Sequence, residues 1–118
     1  NSGIKYQLEK FDRWQPPGKA GFHIRARGPE FQLCDDRITT DSAKQCGSLY
    51  GKQPPLQAPA LKLDAFNTGR LVIRGRRVEH WVNGQLVLAY ERQQITPSAI
   101  SLQHHNTPVT FRRLRINP

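Results

Sequence analysis

The sequence predicts an all-β protein, a β-sandwich of short strands joined by turns. Apolar and polar residues alternate at period two along most of the chain, without the wider spacing of an amphipathic helix. An Asn83-Gly84 pair separates two β-rich runs, and both residues tolerate the positive φ of a type I′ hairpin turn. Prolines interrupt the remainder: Pro16-Pro17-Gly18 and the segment 52–59, with three prolines, cannot join a ladder and are read as loops.

Taken in order, strands are expected at residues 3–8, 22–27, 30–35, 69–75, 77–82, 85–90, 99–104 and 109–116. These are short β-rich runs joined by turns and loops. The 77–82 and 85–90 runs flank the Asn83-Gly84 turn and form the hairpin. The one expected helical turn lies near 42–45. A chain of 118 residues fits one domain with a modest core, and no apolar run approaches the roughly 20 residues of a membrane-spanning helix. With no Met and an opening at Asn1-Ser2-Gly3, the chain is expected to be processed or a piece of something longer.

There are 18 Lys+Arg against 9 Asp+Glu, a net charge of +9. Such a balance raises nucleic acid as a partner. The cations are spread out, however, with no RNA-binding or helix-turn-helix signature, so a solvated basic surface is favoured. Twelve of the 18 are Arg, suited to bidentate pairing with carboxylates and to sugar hydroxyls as well as phosphate. The two cysteines, Cys34 and Cys46, fit no zinc motif. They are either a disulfide closing a small loop or two free buried thiols.

Alternation assigns faces. In 30–35, Phe31 and Leu33 share one side, and Glu30, Gln32 and Cys34 the other. In 100–105, Ile100 and Leu102 oppose Ser101, Gln103 and His105. Two polar rows result, and each is either the solvated side of a sandwich or a sugar-binding face. The 109–116 run has a parity fault: Val109 and Phe111 share one side, Leu114 and Ile116 the other. A β-bulge at Arg112-Arg113 would bring all four inward and re-aim one Arg.

Seven segments carry a family resemblance: Asn1-Ser2-Gly3-Ile4; Glu30-Phe31-Gln32-Leu33-Cys34-Asp35-Asp36; Gly47-Ser48-Leu49-Tyr50-Gly51; Asn67; Val78-Glu79-His80-Trp81-Val82-Asn83-Gly84; Ile100-Ser101-Leu102-Gln103-His104-His105; and Val109-Thr110-Phe111-Arg112-Arg113-Leu114-Arg115-Ile116. In order and spacing they resemble the 3-keto-disaccharide hydrolase family over nearly the whole chain. The chain departs from the family pattern at Cys34, in Gln103-His104-His105-Asn106 and in the last segment. The resemblance implies a concanavalin/laminin-G-like jelly roll, here expected to lack N-terminal strands that other members carry, or to belong to a larger parent chain. It implies a periplasmic or extracellular location and no organic cofactor.

It also implies chemistry. A ketone at C3 acidifies the C2 hydrogen of a glycoside, a base removes it, the C1 substituent is expelled, and water adds to the enone. Candidate catalytic residues are His105, Glu30 and Asp35. Gln32, Asp36, Tyr50, Trp81, Gln103 and Arg112 are candidates for holding substrate. Other readings stand beside these. Asp35-Asp36 is a turn device or part of a divalent-cation site. Trp81 is a stacking platform or a core filler, and His104 lies on the opposite side to His105. The expected partner is a carbohydrate substrate, or a glycan if the chain is a non-catalytic binding module.

Overall fold

A computed structural model describes residues 1–95 and 97–118. It is all-β, in agreement with a jelly-roll sandwich, with eight strands in three sheets. The strands are β1 (Ser2–Lys5), β2 (Lys10–Trp14), β3 (His23–Arg27), β4 (Glu30–Leu33), β5 (Gly69–Arg74), β6 (Arg77–Val82), β7 (Gln85–Glu91) and β8 (Ser101–His104). One sheet has the order β4-β1-β8, another β5-β6-β7, and β2 and β3 form a two-stranded ribbon. No helix among the described residues is long and apolar enough to cross a membrane.

The β6–β7 hairpin forms as expected, with Asn83 at φ 50° and Gly84 at φ 80°. The Asn83 side chain does more than permit the turn. Its Oδ1 accepts from Thr68 N, and its Nδ2 donates to Ala60 O and Asn67 Oδ1. Asn67 in turn holds Lys62 through both its N–H and its carbonyl. Two motif asparagines therefore organise the proline-bearing connection that the sequence leaves as loop. In β7 the register shifts, with His80 opposite Leu88 and Trp81 opposite Leu86. This bulge leaves Val87 and Leu88 both buried where strict alternation would bury one.

The core lies between the inner faces of the two three-stranded sheets and is built from Tyr6, Phe31, Cys46, Val78, Val82 and Val87. One polar ring sits inside it. His80 is fully buried and stacks on Phe31 with centroids 4.2 Å apart. Its Nδ1 lies 2.9 Å from Gly47 O, so Nδ1 carries the proton. Nε2 must then accept from Tyr6 OH at 2.9 Å, and Tyr6 O accepts from Tyr90 OH at 2.8 Å. Burial pushes the His80 pKa down to about 4 and the Tyr6 hydroxyl up. Gly47 cannot carry a side chain here. It has φ 91°, and a Cβ would fall 2.6 Å from Val87 Cγ2.

Three expectations need correction. No strand forms over 109–116: the segment is irregular, and Leu114 and Ile116 are exposed. The parity fault is resolved by a left-handed backbone at Arg113, φ 54°, and not by a bulge that turns the apolar side chains inward. β2 was not anticipated, and the 22–27 strand is one arm of a ribbon with both faces largely in solvent. A short 3-10 turn forms at Asp36–Ile38, just beyond the expected 30–35 strand, and another at Ser42–Lys44, in agreement with the helical turn expected near 42–45.

His80 ties fold stability to pH. Below its ordinary value of 6.5 the unfolded chain takes up a proton, while the folded chain stays neutral until about 4. Stability contributed by neutral His80 is thus present above that window and is lost as pH falls through it. Its share of the loss between pH 7 and pH 5 is about 2 kcal/mol. Denaturant unfolding should show a shallower acid slope in His80→Gln than in the wild type; parallel slopes would mean that His80 is not the buried titrating group.

Candidate functional site

The β4-β1-β8 sheet brings the two polar rows onto one face. Gly3 is in register with both Gln32 and Gln103, and Lys5 with both Glu30 and Ser101. Directly opposed residues share a face, so Glu30, Gln32, Ser101 and Gln103 surround Gly3 and Lys5 on the side away from Phe31. β4 is held on its other edge by a neighbouring segment. Gly47 N donates to Gln32 O, Gln32 N to Ser48 O, and Tyr50 N to Glu30 O. The network through His80 continues into this segment at Gly47 O.

Glu30 is the centre of this face. It is only 8% exposed although it is a carboxylate, and Lys5 Nζ lies 3.5 Å from its Oε2. Gln103 Nε2 reaches the same oxygen at 3.5 Å. Burial raises the Glu30 pKa, while the Lys5 ammonium and then His105 oppose that rise. His105 follows the end of β8 and is exposed. Gly3 leaves the space that the carboxylate occupies: a Cβ there would lie 2.8 Å from Glu30 Oε1 and 3.1 Å from Phe31 O.

The two amides leave a second signature. Gln32 Nε2 donates to Asn1 Oδ1 at 3.4 Å, and Gln103 Nε2 turns to Glu30. The Oε1 atoms of both are buried and have no hydrogen-bond partner among the described residues. Buried acceptors without donors are costly, and both sit on the same sheet face. Next to them a cleft of about 220 Å³ is lined by Asn1, Gln32, Ile38, Thr39, Lys44 and Tyr50. Tyr50, 40% exposed, is one of the residues that line this cleft.

The other candidates lie elsewhere. Asp35 caps the Asp36–Ile38 turn through Arg37 N, and its carboxylate pairs with the Arg37 guanidinium. That pairing lowers the Asp35 pKa to about 2. Asp36 Oδ1 accepts from Cys46 N at 2.6 Å and from the Cys34 thiol. Among the described residues, no group of three or more His, Cys, Asp and Glu is placed to hold a metal ion. Trp81 lies on the outer side of β6 with Glu79, to which its Nε1 donates at 2.8 Å. Arg112 stacks on Phe66, with Cζ 3.5 Å from the ring. No hydrogen bond or stacking contact among the described residues joins Trp81 or Arg112 to the Glu30 face. Cys34 and Cys46 are free. Burial, with Cys46 and Asp36 nearby, pushes the Cys34 thiol up to about 12, and burial takes Cys46 to about 11. At neutral pH both stay protonated and unreactive.

A face of buried carboxylate, lysine and amides on a jelly-roll sheet is suited to sugar hydroxyls. The family model of the 3-keto-alpha-glucoside-1,2-lyase-like domain matches residues 1–117. The chain belongs to this family. No curated protein matches it. Membership in the lyase-like family agrees with a carbohydrate partner and fits the seven segments read from the sequence, of which three supply the polar face.

Lys5 and Gly3 are the site residues that the sequence reading missed. Alternation along Ser2–Lys5 would have found them, because both share the parity that faces Gln32 and Glu30. Gly3→Ala is expected to lower the unfolding free energy by about 1–3 kcal/mol and to displace the Glu30 carboxylate. Denaturation and carboxyl NMR titration check this; unchanged stability together with an unchanged Glu30 titration would show that Gly3 is not what makes room.

Proposed function

We propose that the domain cleaves 3-keto-glycosides by elimination followed by hydration, with the sugar on the Glu30 face. The observation that carries this reading is the pair of buried, unpartnered amide oxygens of Gln32 and Gln103 beside a buried carboxylate. A sugar presents hydroxyl donors to such acceptors, and burial makes a carboxylate a stronger base. Family membership supports the class of substrate.

In this reading Glu30 removes the C2 proton, and the electron pair of the C2–H bond forms the enolate of the C3 ketone. Lys5 faces the developing negative charge as Glu30 becomes neutral. Collapse of the enolate restores the C3 carbonyl, makes the C1–C2 double bond and breaks the bond from C1 to the leaving oxygen, which takes a proton from His105. Water then adds at C1 and gives its proton to the now neutral His105, while C2 recovers a proton from Glu30, which gives the free 3-keto sugar and restores both residues. Tyr50 lines the rim, and Asp35 and Asp36 shape the turn that follows β4. The domain acts in the periplasm or outside the cell, a reading supported by the family resemblance alone.

One feature favours a non-catalytic carbohydrate-binding module as the alternative. Lys5 and Gln103 already engage Glu30, an arrangement that holds a hydroxyl as readily as it moves a proton. Turnover separates the two. On a 3-keto-glucoside, Glu30→Gln should lower kcat/KM roughly 100-fold or more, and His105→Ala about tenfold or more. Because burial raises the Glu30 pKa, the ascending limb of the pH profile should lie above the ordinary carboxylate value of 4.5 and vanish in Glu30→Gln. Glycan binding without release of aglycone in the wild type would leave the binding module standing; wild-type rates in both variants would remove these residues from the chemistry.

A further inference from the structure

The β2–β3 ribbon is the outer half of the hairpin that supplies the site. β1 pairs with β4 and β2 with β3, and the chain between them is bridged by Tyr6 N to Pro29 O and Glu9 N to Arg27 O. The two halves are offset by a left-handed residue, Gln7 at φ 48°. Close approach of the strands at this joint requires Gly28, where a Cβ would fall 2.7 Å from Tyr6 O. At the root of the ribbon Lys5 Nζ donates to Ala26 O at 3.1 Å while it pairs with Glu30. The ribbon thus springs directly from the edge of the polar face.

An isolated two-stranded ribbon is marginal in water, and this one buries neither face. It is strongly basic, with five cations against the single carboxylate Asp12 over residues 10–27. Asp12 is taken up by Lys10 and Arg27. The remaining arginines lie over exposed aromatic rings: Arg13 Cζ is 4.6 Å from the centroid of Phe22, and Arg25 Cζ is 5.3 Å from that of Trp14. Neither arginine forms an ion pair with a described residue, and Arg25 Nε is buried without an acceptor among them. A guanidinium held over a ring by cation–π attraction keeps terminal N–H donors that suit the planar fork of a carboxylate. An aromatic face beside it suits the C–H face of a sugar ring.

We propose that this ribbon is an arm binding the carboxylates of an acidic, uronate-containing oligosaccharide whose neighbouring sugar lies on the Glu30 face. The proposal rests on reading that face as a sugar site, and it narrows the substrate to acidic glycans. Charge complementarity selects the occupant, since the arm carries a net +4 in 18 residues of a chain whose total is +9. Planar carboxylates are favoured over nucleic-acid phosphate because the face from which the arm extends presents amide acceptors for hydroxyls.

Calorimetric titration of the full chain tests the arm with an oligogalacturonate, a neutral cello-oligosaccharide of equal length, a sulfated dextran fragment and single-stranded DNA. The oligogalacturonate should bind roughly tenfold or more tighter than the neutral oligosaccharide and tighter than the other two anions. Arg25→Gln and Trp14→Ala should each bring the ratio of acidic to neutral affinity close to one, and Arg25→Gln keeps the test valid if Trp14→Ala fails to fold. Equal wild-type binding of acidic and neutral sugars, tighter binding of sulfated dextran or DNA, or an unaltered ratio in Arg25→Gln would each overturn the proposal. Its failure is distinct from failure of the catalytic reading. Acidic preference without turnover of any 3-keto-glycoside removes catalysis and keeps the arm; turnover without acidic preference does the reverse.

Discussion

The stack of His80 on Phe31 is the contact from which the remainder of the structure is arranged. One partner comes from β6 and the other from β4, so this pair clamps the two three-stranded sheets. An imidazole is required where a phenyl ring would pack as well, because each ring nitrogen has a separate task. Nδ1 fixes the backbone of Gly47, and Nε2 accepts from Tyr6. Gly47 then aligns β4 through Gln32 O. The segment that pairs with β4 is therefore held by a histidine on the reverse side of the polar face. Such a network is stabilising only when complete, since any member left without its partner in the interior is costly.

The same sheet uses its two sides for opposite purposes. Phe31 and Leu33 belong to the core or pack against it, while Glu30 and Gln32, one residue away, are buried on the other side without being part of it. Burying a carboxylate is unfavourable unless charge and hydrogen bonds compensate, and here Lys5 compensates only in part, leaving the pKa raised. A fold selected for stability alone has no use for that residue. Its presence, with two amide oxygens that lack donors among the described residues, is what sets this face apart from the core side of the same sheet.

Period-two alternation, the Asn-Gly turn and the two polar rows were legible because each depends on neighbours in sequence. β6 begins and ends where the pattern says, and Glu30, Gln32 and Gln103 share a face as parity requires. The failures have a common cause. In β2, Phe11 and Trp14 point to opposite sides, so the ribbon has no apolar face for binary pattern to detect. Over 109–116 a pattern is present, yet Arg113 turns left-handed and Leu114 and Ile116 remain in solvent. The importance of His80 lies in partners 33 residues away or more, which alternation cannot supply. Asp35 and Asp36 carry the right chemical groups, but local donors consume them.

Lys5 spans two elements with one ammonium, touching the backbone of β3 and the carboxylate of β4. Its two contacts make a mechanical linkage out of an electrostatic one. A swing of the ribbon root that draws Ala26 O outward pulls the charge with it, and Glu30 then holds its proton more tightly. The posture of a projecting arm and the acidity of a buried group are two readings of the same lever.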